Sequence, residues 1–138
     1  MFFKKKKEKE RKLQKIENIQ EILIVDDATI NIYILEKFLK KINNNFNIDT
    51  ARNGKDGIEK CLSKDYDLVF MDIKMPIMNG DEACKEILKT KPNYFIVGVS
   101  GQAEKRNIKE YYKSGMKYFL MKPINLKEIE NFINTIKT

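Results

Sequence analysis

Two adjacent aspartates, Asp26 and Asp27, follow the apolar run Ile22–Val25, and a third, Asp72, follows the run Leu68–Met71. Ser100, with Gly101 behind it, closes the run Phe95–Val99, and Lys122, with Pro123 behind it, closes Tyr118–Met121. Each of these residues alone has an ordinary explanation, because an Asp after a strand caps a helix or forms a turn and a lone Ser or Lys there is solvated. Together they are harder to dismiss: three carboxylates, a hydroxyl and an ammonium all stand at the carboxyl ends of apolar runs. Three neighbouring carboxylates repel and raise one another's pKa unless a cation compensates. Lys122 supplies one positive charge, and a divalent ion would supply more. A small all-oxygen donor set suits Mg2+, and with no Cys or His at these positions zinc is disfavoured. A carboxylate beside Mg2+ and Lys is equipped to attack phosphorus and form an acyl phosphate. The cation, Lys122 and the Ser100 hydroxyl would then share the charge on the phosphoryl oxygens, with Gly101 leaving room for the group to enter.

The elements that must hold these residues are legible in the spacing of apolar side chains. Five short continuous apolar runs, Ile22–Val25, Phe46–Ala51, Leu68–Met71, Phe95–Val99 and Tyr118–Met121, suit buried parallel strands. Helical periodicity lies between and after them: Leu35, Phe38, Leu39 and Ile42; Ile58, Cys61 and Leu62; Ala83, Cys84, Ile87 and Leu88; Ile108, Tyr111 and Tyr112; Leu126, Ile129, Ile133 and Ile136. Gly54, Gly80 and Gly115 punctuate the ends of segments. Strand and helix alternate five times, so the expected class is α/β, a doubly wound five-stranded parallel sheet in the flavodoxin-like order 2-1-3-4-5. In such a sheet, ligands sit beyond the carboxyl ends of strands 1 and 3, where Asp26, Asp27 and Asp72 fall.

Composition narrows the rest. The chain has 138 residues, one domain's worth, with 42% hydrophobic residues and a formal charge of +7. Residues 1–20 carry eight Lys or Arg against three Glu, so +5 of that charge sits in a basic N-terminal extension (residues 1–19) and +2 in the remainder, a domain over residues 20–138. Leu13, Ile16 and Ile19 give the extension only weak spacing, compatible with a short helix or an arm. The lysine-rich start, with Phe2 and Phe3, raises the prospect of contact with an anionic membrane or nucleic acid, although a charge run is ordinarily just solvated and no specific nucleic-acid partner is expected. No apolar run is long enough for a membrane span and no apolar segment follows the lysines as in a secretory signal, so a cytoplasmic location is expected. Cys61 and Cys84 form no CxxC pair and read as buried thiols in a reducing compartment. The absence of His rules out a phosphohistidine-forming centre and Ser-His or Cys-His catalysis within these residues.

Over about residues 21–137 the sequence resembles the response-regulator receiver family. The segment Met71-Asp72-Ile73-Lys74-Met75-Pro76-Ile77-Met78-Asn79-Gly80 is similar to the family's phosphoacceptor stretch, Val25-Asp26-Asp27 to its acidic pair, and Val99-Ser100-Gly101 and Lys122-Pro123 to its hydroxyl and lysine segments. The resemblance implies that Asp72 accepts phosphate and that Asp27, Asp72 and the Lys74 backbone carbonyl ligate Mg2+, with Asp26 holding a metal-bound water. It further implies that Ser100 and Lys122 bind the phosphoryl group and that the Lys122–Pro123 bond is cis. Ser100 and Phe119 would be the switch pair, and Phe119, lacking a hydroxyl, would work by packing. Lys74 and Gln102 stand at the family's two variable positions beside the site. Asn31, four residues after Asp27, resembles receivers of hybrid kinases, whose donors are histidine kinases or histidine phosphotransfer proteins.

Such a protein would be a phosphoacceptor with slow self-catalysed loss of phosphate, not an enzyme with independent turnover. The sixteen residues after Lys122 make one helix, so output is expected through protein contacts on the fourth helix, strand 5 and fifth helix, or the segment belongs to a larger hybrid kinase. Two other readings fit less well. A pseudo-receiver that is never phosphorylated would lack Asp27, Asp72 or Lys122. A flavodoxin-like cofactor binder would need a Ser/Thr/Gly-rich phosphate loop where this chain has Asp26-Asp27-Ala28, and Asn53-Gly54-Lys55 lacks P-loop spacing.

Overall fold

The structure, a computed structural model, describes residues 14–101 and 107–138. Strands and helices alternate: β1 (Glu21–Val25), α1 (Thr29–Ile42), β2 (Asn47–Ala51), α2 (Gly54–Ser63), β3 (Leu68–Asp72), α3 (Gly80–Thr90), β4 (Ile96–Ser100), α4 (Ile108–Lys113), β5 (Tyr118–Met121) and α5 (Leu126–Ile136). The strands form one parallel sheet in the order β2-β1-β3-β4-β5, as the alternation predicts. Expected and observed strand limits differ by one residue at several ends. Asp72 and Ser100, read as residues that follow strands, are themselves the last residues of β3 and β4.

Because β3 and β4 are buried on both faces, their sequences are apolar almost throughout, and alternate residues divide between two cores. On one face Ile22, Ile24, Phe70, Val97, Val99 and Leu120 meet Leu35 and Leu39 of α1 and Ile129, Phe132 and Ile133 of α5. On the other, Leu23, Val25, Val69, Met71 and Ile96 meet Cys61 of α2, Ala83, Cys84 and Ile87 of α3, and Tyr111 of α4. Both cysteines are free and fully covered, and burial pushes each thiol up to about 12.

Local chemistry sets the helix starts. The Asn53 and Asn125 side chains accept from the amides of Asp56 and Glu128, three residues on, and open α2 and α5. Ala28 cannot cap α1, so the Asp26 carboxylate accepts the Ala28 amide at 2.9 Å instead. At the amino ends of the strands, residues 14–20 lie against the domain. Ile16 pairs with Lys137 in an isolated parallel bridge, and Ile16 and Ile19 pack on the first core. The start of the basic extension and Gln102 lie outside the described residues. No helix among those described is long and apolar enough to cross a membrane.

Candidate functional site

The sheet order places β1 and β3 side by side, with Val25 opposite Met71, so the chain leaves both strands at the same rim. This brings Asp26, Asp27 and Asp72 together. Each offers a carboxylate oxygen, and these oxygens lie within 4.8 Å of one another, with Asp26 and Asp72 buried and Asp27 exposed. Two β-strands away, β5 delivers Lys122 to the same rim. Its ammonium lies 3.0 Å from Asp72 Oδ1 and 3.6 Å from Asp26 Oδ2. The Lys122–Pro123 bond is cis.

One cation among three carboxylates does not balance the charge. Asp72 is 5% exposed, and burial followed by the repulsion from Asp26 lifts its pKa to about 6 from an ordinary 3.8, against the pull of the Lys122 hydrogen bond and charge. Burial also opposes the charge on Lys122, but its bond to Asp72 and the charges of Asp72 and Asp26 outweigh that and raise its pKa. The donor set is entirely oxygen, partly open through Asp27, and short of positive charge. Those are the properties that fit a hard divalent cation holding some of its own water, of which Mg2+ is the usual example. Lys74, two residues beyond Asp72, has an exposed side chain in the loop between β3 and α3.

Glycine is required where α3 meets this loop. The Gly80 amide donates to Ile73 O at 2.7 Å, and a Cβ on Gly80 would lie 1.9 Å from the Asp72 carbonyl oxygen. Between them the loop passes through Ile77 at φ +71°, a left-handed conformation that a β-branched residue adopts only under strain.

Ser100 reaches the same rim on β4, but its hydroxyl does not touch Asp72. Among the described residues it bonds the Met121 thioether on β5, Sδ at 3.6 Å, and is 1% exposed. Phe119 lies two residues before Met121, half-buried, with ring centroids 5.7 Å from Tyr111 and 5.0 Å from Tyr112 of α4. Gly98, its neighbour on β4, makes room for that ring: a Cβ there would stand 2.3 Å from Phe119 Cε1. Asn31 and Lys122 meet along a groove of about 330 Å3, which Ile34, Leu35, Pro123 and Ile124 complete.

Three contributors escape a reading of residue types. Arg52, after β2, donates to the Asp27 carbonyl oxygen at 3.0 Å and ties the edge of the sheet to the acidic loop. Nothing in its spacing marks it. Gly98 carries a usable signal, since a lone glycine inside an otherwise apolar strand indicates a close approach by another group. Met121 reads only as a strand residue, and its role depends on lying directly opposite Ser100.

Comparison with known proteins agrees with this architecture. Hybrid signal transduction histidine kinase G of Dictyostelium discoideum is 36% identical over 126 residues, covering 88% of this chain but only 4% of that protein. Chemotaxis protein CheY of Thermotoga maritima is 35% identical over 115 residues, covering 83% of this chain and 95% of that one. Among solved structures, a CheY-like receiver domain from Methanospirillum hungatei superposes with a TM-score of 0.77 at 26% identity, over 85% of this chain and 92% of that chain. The CheX-CheY-BeF3-Mg2+ complex from Borrelia burgdorferi gives 0.78 at 26% identity, over 85% and 88%. The family model of the response regulator receiver domain matches residues 22–134, nearly the whole of the sheet and its helices, and the chain belongs to that family.

Proposed function

We propose that Asp72 is the phosphoacceptor of this receiver and that Asp26, Asp27, Asp72 and the Lys74 carbonyl form its Mg2+ site. The observation that carries this reading is the buried Asp72 carboxylate, bonded by Lys122 and crowded by two further carboxylates at the carboxyl rim of β1 and β3. The Borrelia complex, whose matched chain is 26% identical to this one, contains beryllofluoride and Mg2+, which supports the same assignment.

The donor is a phosphohistidine on a histidine kinase or a histidine phosphotransfer protein. A carboxylate oxygen of Asp72 attacks phosphorus, the phosphorus–nitrogen bond breaks, and the imidazole leaves as a neutral ring after gaining a proton. Bound Mg2+ supplies the charge that lets a phosphoryl group approach two acidic neighbours. Lys122, already 3.0 Å from Asp72, neutralises one phosphoryl oxygen, and Ser100 supplies a neutral hydrogen bond to another. Slow hydrolysis of the acyl phosphate resets the protein, without independent enzymatic turnover. The signal passes to a partner protein through the face of α4, β5 and α5, where the Lys127 side chain is exposed, and the protein acts in the cytoplasm. The 36% identity to a hybrid kinase over a small fraction of its length supports a second context, as a receiver segment of a larger kinase.

Incubation with acetyl phosphate and Mg2+, followed by intact-mass measurement, tests the assignment. Wild type gains one phosphoryl group and Asp72→Asn gains none. A phosphoryl group on Asp72→Asn in equal yield would show that the acceptor is elsewhere, and no gain in wild type would favour a pseudo-receiver.

A further inference from the structure

The Ser100 hydroxyl is almost fully buried, and its one partner among the described residues is a thioether sulfur. Thioether sulfur is a weak acceptor, so among the described residues this nearly buried hydroxyl is only weakly satisfied. A phosphoryl oxygen on Asp72, by contrast, would be a charged acceptor and roughly twice as strong as a neutral one.

The register makes the Met121 contact consequential. Ser100 lies opposite Met121 and Gly98 opposite Phe119 in the β4–β5 ladder. Alternate residues of a strand share a face, so these two pairs are consecutive rungs on one side of the sheet. That side is the second core, where Ile96, Met116, Tyr111 and Phe119 lie. The Phe119 ring occupies the hollow left by Gly98, with the Met116 Sδ 2.8 Å from where a Gly98 Cβ would stand. On that side of the sheet the Met121 rung directly follows the Phe119 rung in the ladder.

We propose that Met121 is a positioning residue: its thioether holds the Ser100 hydroxyl on β5 in the resting state, and loss of that contact on phosphorylation carries the change to Phe119. The inference rests on the reading of Asp72 as phosphoacceptor and Ser100 as a phosphoryl ligand. When Ser100 turns to the phosphoryl group, the Met121 side chain loses its contact with the hydroxyl and becomes free to repack beside Phe119. The weakness of the sulfur contact is what makes the latch releasable. A carboxylate or carbonyl acceptor at position 121 would compete with the phosphoryl group, and an aliphatic side chain would not hold the hydroxyl at all.

The test uses the full chain with 13C-methyl methionine, observed by NMR with and without beryllofluoride and Mg2+, while intact mass after acetyl phosphate treatment reports phosphorylation of Asp72. Met121→Leu identifies the Met121 methyl signal. That signal is expected to move on loading, and Ser100→Ala is expected to move it in the unloaded protein. Met121→Leu, close in volume, should lower the half-saturating beryllofluoride concentration about two- to five-fold, the size of one weak neutral hydrogen bond. In the Ser100→Ala background the same substitution should have no effect, because the interaction it removes is already gone. A Met121 methyl unmoved by loading in a protein that carries one phosphoryl group on Asp72 would overturn the latch and leave the receiver reading intact. So would a Met121→Leu effect of equal size with and without the Ser100 hydroxyl. Absence of any phosphoryl group on wild-type Asp72 would overturn both.

Discussion

The two ends of the sheet handle polar groups in opposite ways. At the amino ends of the strands, partners are matched. Asp67 Oδ2 accepts from the amides of Gln20 and Glu21 at 2.9 and 2.8 Å. Lys91 reaches Cys61 O at 2.6 Å and Asp65 Oδ1 at 2.7 Å, and Lys64 bridges Glu21 and Asp49 at 2.8 and 2.9 Å. The Tyr94 hydroxyl lies 3.1 and 2.8 Å from the Cys61 and Lys64 carbonyls and accepts the Tyr66 amide at 3.0 Å. At the carboxyl ends three carboxylates crowd together with Lys122 paired to two of them, a buried hydroxyl has only a sulfur partner among the described residues, and Ile77 sits in a strained conformation. Both ends are built on the same strands, so the contrast is one of purpose. The matched end stabilises the fold, whereas the mismatched end stores unfavourable interactions that the proposed cation would relieve, leaving the Ser100 hydroxyl and Lys122 to meet the proposed phosphoryl group.

The largest expected consequence is in the pH dependence of stability without metal. Asp72 binds its proton more tightly folded than unfolded, since its pKa rises from 3.8 to about 6. Between those values the folded state holds more protons, so stability is greatest below the unfolded pKa and falls as pH rises through about 6. The loss amounts to about 3 kcal/mol, one pKa unit being about 1.4 kcal/mol. Urea unfolding in a metal-free buffer from pH 4 to pH 7.5 measures it. Asp72→Asn should flatten the profile and be more stable than wild type at pH 7.5, and added Mg2+ should recover stability in wild type but not in Asp27→Asn. A profile in wild type as flat as in Asp72→Asn would remove the contrast between the two ends.

Lys122→Met is next. It removes the cation paired with Asp26 and Asp72 and leaves both carboxylates without it. At pH 7.5 this should cost about 2 kcal/mol, less than the roughly 3–5 kcal/mol of a fully buried pair, because Lys122 is partly solvated. The cost should shrink below pH 5 as Asp72 protonates. A cost independent of pH would mean that Lys122 contributes packing and not charge.

Tyr94→Phe probes the matched end. The Tyr66 amide would be left buried without its acceptor, and a loss of about 1–2 kcal/mol is expected. Unlike the two effects above, it should not change with pH between 5 and 8 or respond to Mg2+. The smallest effect belongs to Ile77→Gly, which relieves left-handed strain at an exposed position and should stabilise by about 1 kcal/mol. Equal stability of the two proteins in thermal unfolding would show that the Ile77 strain is offset locally.

The sequence alone determined the fold class and which polar residues close the strands at one rim. Continuous apolar runs such as Leu68–Met71 can only be buried on both faces, and their alternation with helical periodicity leaves a parallel sheet as the arrangement that covers them. Once the strands are in that order, the residues closing β1, β3, β4 and β5 must share a rim, which is why Asp26, Asp27, Asp72, Ser100 and Lys122 were legible without coordinates. Tertiary structure decided what those residues do to one another. The elevated pKa of Asp72 depends on burial and on distances to Asp26 and Lys122, quantities that spacing along the chain does not contain. The Arg52 contact to Asp27 and the Ser100 contact to Met121 join residues 25 and 21 positions apart through neighbouring strands. The hollow that Gly98 leaves for Phe119 exists only because the β4–β5 register sets them opposite. Type and order follow from hydrophobic burial, which is coarse and encoded locally, whereas charge balance and contact partners follow from ångström-scale geometry fixed by the whole sheet.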